Sequence, residues 1–457
     1  MSDIQLSVFD LFKIGPGPSS SHTIGPMKAG YDFIKTVRML PVETLSKASG
    51  LMVHLFGSLS ATGKGHGTDR AVLAGLLGHA PESCLPEFLD ELAAEPLAQR
   101  PMDLGAHSLM INANNVVFDA IEHNFPFNNT MIIRLTGPDA KEAPLFEREY
   151  ASVGGGFIQI KGKPEKPRGA PAYPYGTMEE LKKQLAESDL SLHRLILENE
   201  MAVTGAAETE IVAGLDTILQ VMDTAVSAGL SVEGVLPGSI GLARKAKQIL
   251  KRSQGRRYPQ ETIISQLCAF AFAASEENAA GHIIVTAPTC GSAGIIPAMA
   301  RIMRTRLALS EQSIREGLLA AAAVGFLAKH NATIAGAEGG CQAEIGVASA
   351  MAAAMLAHAT GYGVHVTENA AETALEHHLG MTCDPVAGYV QIPCIERNAM
   401  SVVKAFTAFV IATDELPGQH KVGLDQAIAA MMATGQDMNC KYKETALGGL
   451  AVSVPNC

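Results

Sequence analysis

The sequence has no run of Lys or Arg, and its net charge is −11. Nucleic acid and anionic membrane both need a basic face, so neither is an expected partner. Met1 is followed by Ser-Asp-Ile-Gln, with no basic or apolar leader. No signal peptide is therefore expected, and a cytoplasmic location is. Charge is absent from Asn278 to Ala300. Gly281, His282, Pro288, Gly291, Gly294 and Pro297 interrupt that stretch, which reads as a buried, turn-rich segment rather than a membrane span. There is no internal repeat and no low-complexity tail. No Cys-x₂-Cys pair occurs either, which removes the zinc ribbons and ferredoxin-like loops whose ligands come in pairs from one turn.

What remains is a long apolar chain. Its 457 residues are 47% hydrophobic and 18% charged, which predicts a globular protein of two or three domains. The first part mixes helix and strand signals. Leu51–Phe56 and Thr130–Leu135 read as strands, and Ile24–Met39 reads as a helix. Residues 164–176 carry four prolines, which forbid a helix or a central strand and mark a linker. Thr177 and Glu180 then form a capping box. Beyond it the chain is rich in Ala and helical in pattern. Ser310 is placed to cap a helix with Ile314, Leu318, Ala321 and Ala322 on its apolar side. Val347–Leu356 is almost entirely small or flexible residues, which suits closely packed helices. The expected fold class is α+β: a mixed α/β domain over 1–163, a linker over 164–176, and an all-helical domain over 177–457.

In a cytosolic chain the eight cysteines are expected as thiols or metal ligands. Cys341, Cys383 and Cys394 stand apart because Gly or Pro flanks each of them. Spacing alone leaves two readings open, a three-cysteine metal site or three unrelated core thiols.

The longer motifs decide for the first. Cys383-Asp-Pro-Val-Ala-Gly-Tyr-Val-Gln-Ile-Pro-Cys394 resembles the signature of the iron–sulfur L-serine dehydratases. Ala335-Gly-Ala-Glu-Gly-Gly-Cys341 resembles its upstream companion. Thr286–Pro297, Gly17-Pro-Ser-Ser-Ser-His-Thr23 and Gly57–Asp69 are similar to further pieces of that family. The likeness runs from Ser7 to Gly449, in the arrangement where two halves are fused in one chain. It implies conversion of L-serine to pyruvate and ammonia, and a [4Fe–4S] cluster held by Cys341, Cys383 and Cys394. One iron would stay open to act as Lewis acid on the serine hydroxyl and carboxylate. It also implies a homodimer. The N-terminal half is similar to a substrate-binding-like domain of some D-3-phosphoglycerate dehydrogenases, which suggests regulation by serine or a related acid.

Candidate acid–base groups are His22, His66 and His123. A lone His is more often structural than catalytic, but glycines flank His66 and let backbone approach a ligand. His123 precedes a loop-like stretch and could gate the site. Ser19, Ser20, Ser21, Thr68, Asp69, Ser292, Asn331, Glu338 and Arg397 are candidate substrate contacts. Arg397 would clamp the carboxylate, and Glu338 or Asn331 would hold the ammonium. Cys457 carries an α-carboxylate and a β-thiol, which makes it a tethered analogue of serine. It reads either as the occupant of the open iron at rest, displaced by substrate, or as a chance cysteine on a disordered end. Two competing readings are a pyridoxal-phosphate dehydratase, for which Lys329 is the candidate lysine, and a non-catalytic iron–sulfur sensor.

Overall fold

The computed structural model describes residues 3–105, 107–139, 142–164, 168–416 and 418–454. The first strand-like run alternates as its sequence dictates. Leu51, Val53 and Leu55 face inward from the strand Gly50–Leu55, while Met52 and His54 are half-buried. This strand lies inside a five-stranded sheet ordered Val116–Phe118, Gly50–Leu55, Thr130–Thr136, Phe146–Ser152, Ile158–Ile160. All pairings are antiparallel except that of Gly50–Leu55 with Val116–Phe118. The helices Gly25–Val37 and Thr68–Leu76 pack together over the sheet, with Phe33, Ile34, Val72 and Leu73 in its core. Two glycines set their closeness. A Cβ on Gly75 would lie 2.1 Å from the Met27 carbonyl oxygen, and one on Gly30 would lie 2.5 Å from that of Val72.

The second region is mostly helical. Its centre is the helix Val347–Ala359, in which every residue except His358 is buried. A helix apolar on all sides belongs inside a bundle, and this one is surrounded by Glu311–Asn331, Val364–Glu376, Cys394–Asp414 and Ile295–Thr305. Small residues permit the packing: a Cβ on Gly317 would approach the Met355 carbonyl oxygen to 2.6 Å. The expected caps are in place. Thr177 Oγ1 accepts from the Glu180 amide, and Ser310 Oγ accepts from that of Ser313. One helix, Glu208–Ser231, is long and apolar enough by composition to cross a membrane. Here it packs on the helix Pro259–Ala279, where a Cβ on Gly229 would lie 2.2 Å from the Ala273 carbonyl oxygen.

The mixed first region and the helical second region agree with the expected α+β class, and the second region also contains one short strand, Ile283–Val285. That strand pairs antiparallel with Ile14–Pro16 from the start of the chain. Residues before it also join the helical core rather than the sheet's, with Ile4, Val8, Leu11 and Phe12 buried there. Glu200 holds this segment, accepting from Ser7 Oγ at 2.5 Å and the Val8 amide at 2.8 Å. The chain therefore starts on the helical side and crosses to the sheet through residues 17–24. Tyr173, near the end of the Pro-rich stretch, also lies on the helical side, where it and Asn199 exchange two hydrogen bonds.

Candidate active site

The crossing places three segments against the N-terminal end of the central helix. Cys341 sits just before a π-helical turn, Gln342–Gly346, that runs into Val347–Ala359. The preceding Gly340 has φ +71°, and a Cβ on it would lie 2.7 Å from the Met381 carbonyl oxygen. Only glycine takes that backbone without strain. Cys383 lies in an irregular loop, where its amide donates to the Tyr442 carbonyl at 2.7 Å and its own carbonyl accepts from Thr445 at 3.1 Å. Cys394 opens the helix Cys394–Asp414.

The three cysteines line one cavity with Ser19, Ser20, His66, Glu344 and Glu444. Each is less than a tenth exposed. The sulfurs of Cys341 and Cys383 and a Glu344 carboxyl oxygen all lie within 4.8 Å of one another. The hydrogen bond with Cys341, then burial, push the Cys383 thiol well above the usual range. Burial, then Cys341, do the same to Cys394. The Cys383 and Cys394 thiols therefore ionise in this dry site only with a cation beside them.

Two histidines stand on the sheet side of this space, their rings 4.7 Å apart. His66 Nδ1 lies 3.0 Å from the Thr62 carbonyl. A carbonyl only accepts, so Nδ1 carries the proton and Nε2 keeps its lone pair. Burial, then His22, lower the His66 pKa to about 3. His22 is fully buried, and burial lowers its pKa to about 4. Its Nδ1 meets Ser21 Oγ at 2.8 Å and its Nε2 meets Ser58 Oγ at 3.1 Å. Ser21 Oγ donates onward to Glu444 at 3.1 Å. A second cavity adjoins the first, sharing Ser20, Glu344 and Glu444, and is walled by Phe127, Asn128 and Asn129.

Residues 7–163 match the family model described as the serine dehydratase beta chain. Residues 187–451 match the one described as the serine dehydratase alpha chain. The chain belongs to the serine dehydratase family. It carries both parts fused. An L-serine dehydratase of Streptomyces coelicolor is 43% identical over 462 residues, covering 99% of this chain and 100% of the relative. The L-serine dehydratase TdcG of Escherichia coli is 42% identical over 467 residues, covering 98% and 99%. One from Helicobacter pylori is 38% identical over 462 residues, covering 97% and 98%. Enzymes so named are lyases.

Against this family background the expected site residues fall into three groups. Cys341, Cys383, Cys394, Ser19, Ser20 and His66 share the first cavity; Ser21 and Glu338 line the second. His22 and Thr68 support that wall from behind, Thr68 Oγ1 donating to the His22 carbonyl at 2.7 Å. The others are occupied elsewhere. Asn331 spends its amide on the carbonyls of Gly176 and Leu327. Ser292 Oγ is turned back on the Ala287 and Thr289 carbonyls. Asp69 lines a different cavity. Arg397 does not clamp an open space, because its guanidinium donates to the Thr382 carbonyl and Asp384 and lies against Cys341. It steadies the cysteine loop. His123 lines neither cavity: its Nε2 donates to the Asn128 carbonyl and its Nδ1 accepts from the Phe125 amide. It shapes the loop that walls the second cavity. Lys329 lines neither cavity, and its ammonium lies over the Phe157 ring. Cys457 lies outside the described residues.

Sequence reasoning missed Glu344 and Glu444. Burial, then Glu444, raise the Glu344 pKa to about 8; burial raises that of Glu444 to about 7. Glu344 had one available signal, a lone acid in a long uncharged run beginning at Cys341. Glu444 had none, because only the pairing of residues 442–445 with Cys383 brings it in.

Proposed function

We propose that this chain dehydrates L-serine to pyruvate and ammonia at a [4Fe–4S] cluster held by Cys341, Cys383 and Cys394. The observation that carries the reading is the cavity shared by three buried cysteines and a neutral histidine. The donor set fits such a cluster: three soft thiols converge, with Arg397 beside them to offset negative charge. When bound, it would supply an iron without a protein thiolate, a Lewis acid for the serine hydroxyl and carboxylate. Cys457 is proposed to occupy that position at rest.

The chain's own residues supply the rest. His66 Nε2, neutral and free of backbone partners, accepts the α-proton. Ser19 and Ser20 present hydroxyls to the substrate carboxylate. Glu444 and Glu338 face the ammonium from the second cavity, which serves as the entrance. The Phe127–Asn129 loop, supported by His123, gates it. Loss of the α-proton and the hydroxyl gives aminoacrylate, which tautomerises and takes up water to yield pyruvate and ammonia. The proposal extends to a soluble cytoplasmic enzyme acting in serine degradation and gluconeogenesis, without nucleic-acid or membrane partners. It includes a homodimer, for which the exposed Met400, Val410 and Ile411 on the helix Cys394–Asp414 offer an apolar face.

Anaerobically purified protein tests this. A broad brown absorption lost in air, with serine converted to pyruvate, supports it. A band near 410–420 nm that hydroxylamine bleaches would replace it with pyridoxal-phosphate chemistry (the range is roughly that of a lysine aldimine). A cluster that turns over no hydroxy-amino acid would replace it with a sensor.

A further inference from the structure

Lys13 lies just before the crossing, and the proposed serine chemistry does not use it. Its backbone belongs to the helical side. The Lys13 amide donates to Thr286 Oγ1 at 2.9 Å, and its carbonyl accepts from the Thr286 amide at 2.8 Å. Thr286 Oγ1 donates in turn to the Leu11 carbonyl at 2.7 Å. The side chain points the other way. Its ammonium donates to the Gly155 carbonyl at 2.7 Å and lies 3.3 Å from the centre of the Phe157 ring. The Lys329 ammonium reaches the same ring, at 4.0 Å.

The loop that Lys13 reaches joins the strands Phe146–Ser152 and Ile158–Ile160. In it Gly154, Gly155 and Gly156 have φ of +83°, +54° and +71°. Three such residues in a row make a backbone for glycine alone. The loop is pressed onto the helical region. A Cβ on Gly154 would lie 2.9 Å from that of Ala335, and one on Gly155 would lie 3.0 Å from Ile334 Cδ1. Gly154 and Gly155 line the second cavity, together with Ala335, Glu338, Glu344 and Glu444. Within the loop Val153 donates to the Phe157 carbonyl and Phe157 to that of Gly154. Among the described residues, the bond from Lys13 is the one hydrogen bond that ties residues 153–157 to another segment.

An ammonium taken from water costs free energy unless an anion compensates. Among the described residues no carboxylate pairs with Lys13, and Asp10, the acid closest in sequence, pairs with Arg168. Burial, then Lys28, hold the Lys13 pKa well below the usual lysine range. An apolar side chain would be easier to bury here. A residue choice that opposes local stability is expected where function needs the residue. We infer that Lys13 is a positioning residue for the dehydration: its ammonium ties the glycine loop of the sheet region to the helical region, and so sets the wall past which serine reaches the cysteines. The inference rests on the serine reading above. Lys13 lines neither cavity, so its effect falls on substrate entry rather than on the chemical step.

Lys13→Met keeps the length of the side chain and removes the charge. In the anaerobic holoenzyme it should raise the KM for serine about tenfold, as for the loss of one charge-assisted hydrogen bond. The kcat should stay within about threefold, with the cluster spectrum unchanged. Lys13→Arg restores a cation and should recover most of the KM. Hydrogen–deuterium exchange, read by mass spectrometry, should quicken across residues 153–157 in Lys13→Met and stay near the parent's in Lys13→Arg. If Lys13→Met does not fold, Phe157→Leu carries the test, because it removes the ring on which the ammonium rests; the same exchange should quicken and the KM should rise. Normal exchange in these variants would overturn the tie. Faster exchange with an unchanged KM, or with a fall in kcat alone, would overturn the role in substrate entry. No recovery in Lys13→Arg would overturn the need for a cation. Exchange does not depend on turnover, so a loop that loosens in a protein inactive on serine would separate a failure of the serine reading from a failure of the tie.

Discussion

Cys341, Cys383 and Cys394 differ from the other described cysteines in what surrounds them. Cys84 packs in the sheet core and Cys290 beside Ile24 and Ile284; Cys268 lies on the helix Pro259–Ala279. Replacing any of the three cavity cysteines with Ala should remove both the cluster spectrum and activity, since thiolate ligation is not supplied by water. A Cys341→Ala protein with an intact spectrum would break the ligand assignment. Cys84→Ser and Cys268→Ser should retain both. At His66 the expectation separates chemistry from folding. His66→Ala should lower turnover by ~10²-fold or more, with iron content and melting temperature near the parent's. Near-normal turnover would return His66 to a structural role. The cysteines and His66 were legible because long motifs carry them. Whether His123 acts as gate or as acid–base group was not legible, because a loop motif says nothing about where its nitrogens go, and here both are used within the loop. Glu444 was illegible because its place depends on a backbone pairing between segments sixty residues apart.

Local elements fix these groups by simple means. Gly340 turns the chain so that Cys341 enters the π-helical turn, and its left-handed backbone sits against Met381. Gly340→Ala should therefore cost cluster content before it costs helicity, because strain falls on the loop and not on the central helix. Iron per chain and far-ultraviolet circular dichroism, measured together, check this; normal iron content would show that the turn tolerates a side chain. At Thr177 the two-way cap was readable from the Thr-x-x-Glu spacing alone, and it starts the helix Met178–Ser188. Thr177→Ala should lower stability by about 1 kcal/mol, read as a denaturation midpoint, with activity unchanged. The strands Gly50–Leu55 and Thr130–Thr136 and the central helix were equally legible, since their signals are local. The strand Ile283–Val285 was not, because its partner lies more than two hundred residues away and its three apolar residues match any buried segment.

At the scale of the molecule, the active site depends on the chain passing between two cores. The sequence pattern showed a sheet-forming part and a helix-rich part, but apolar residues do not announce which core they join. Ile4, Val8, Leu11 and Phe12 precede the sheet yet fill the helical core. Separating the chain within the Pro-rich stretch should thus leave the helical piece missing part of its own interior. Expressed alone, that piece should be poorly soluble or melt well below the parent, and mixing with the N-terminal piece should restore activity. A helical piece as stable as the parent would show that the first sixteen residues add little to that core. The account rests above all on three thiolates leaving one iron of a cluster for substrate. Mössbauer spectroscopy of the anaerobic enzyme, grown on isotopically enriched iron, reads this directly. The account predicts one iron site distinct from the rest, whose signal alone changes on adding serine. Equivalent irons that do not respond to serine would contradict it.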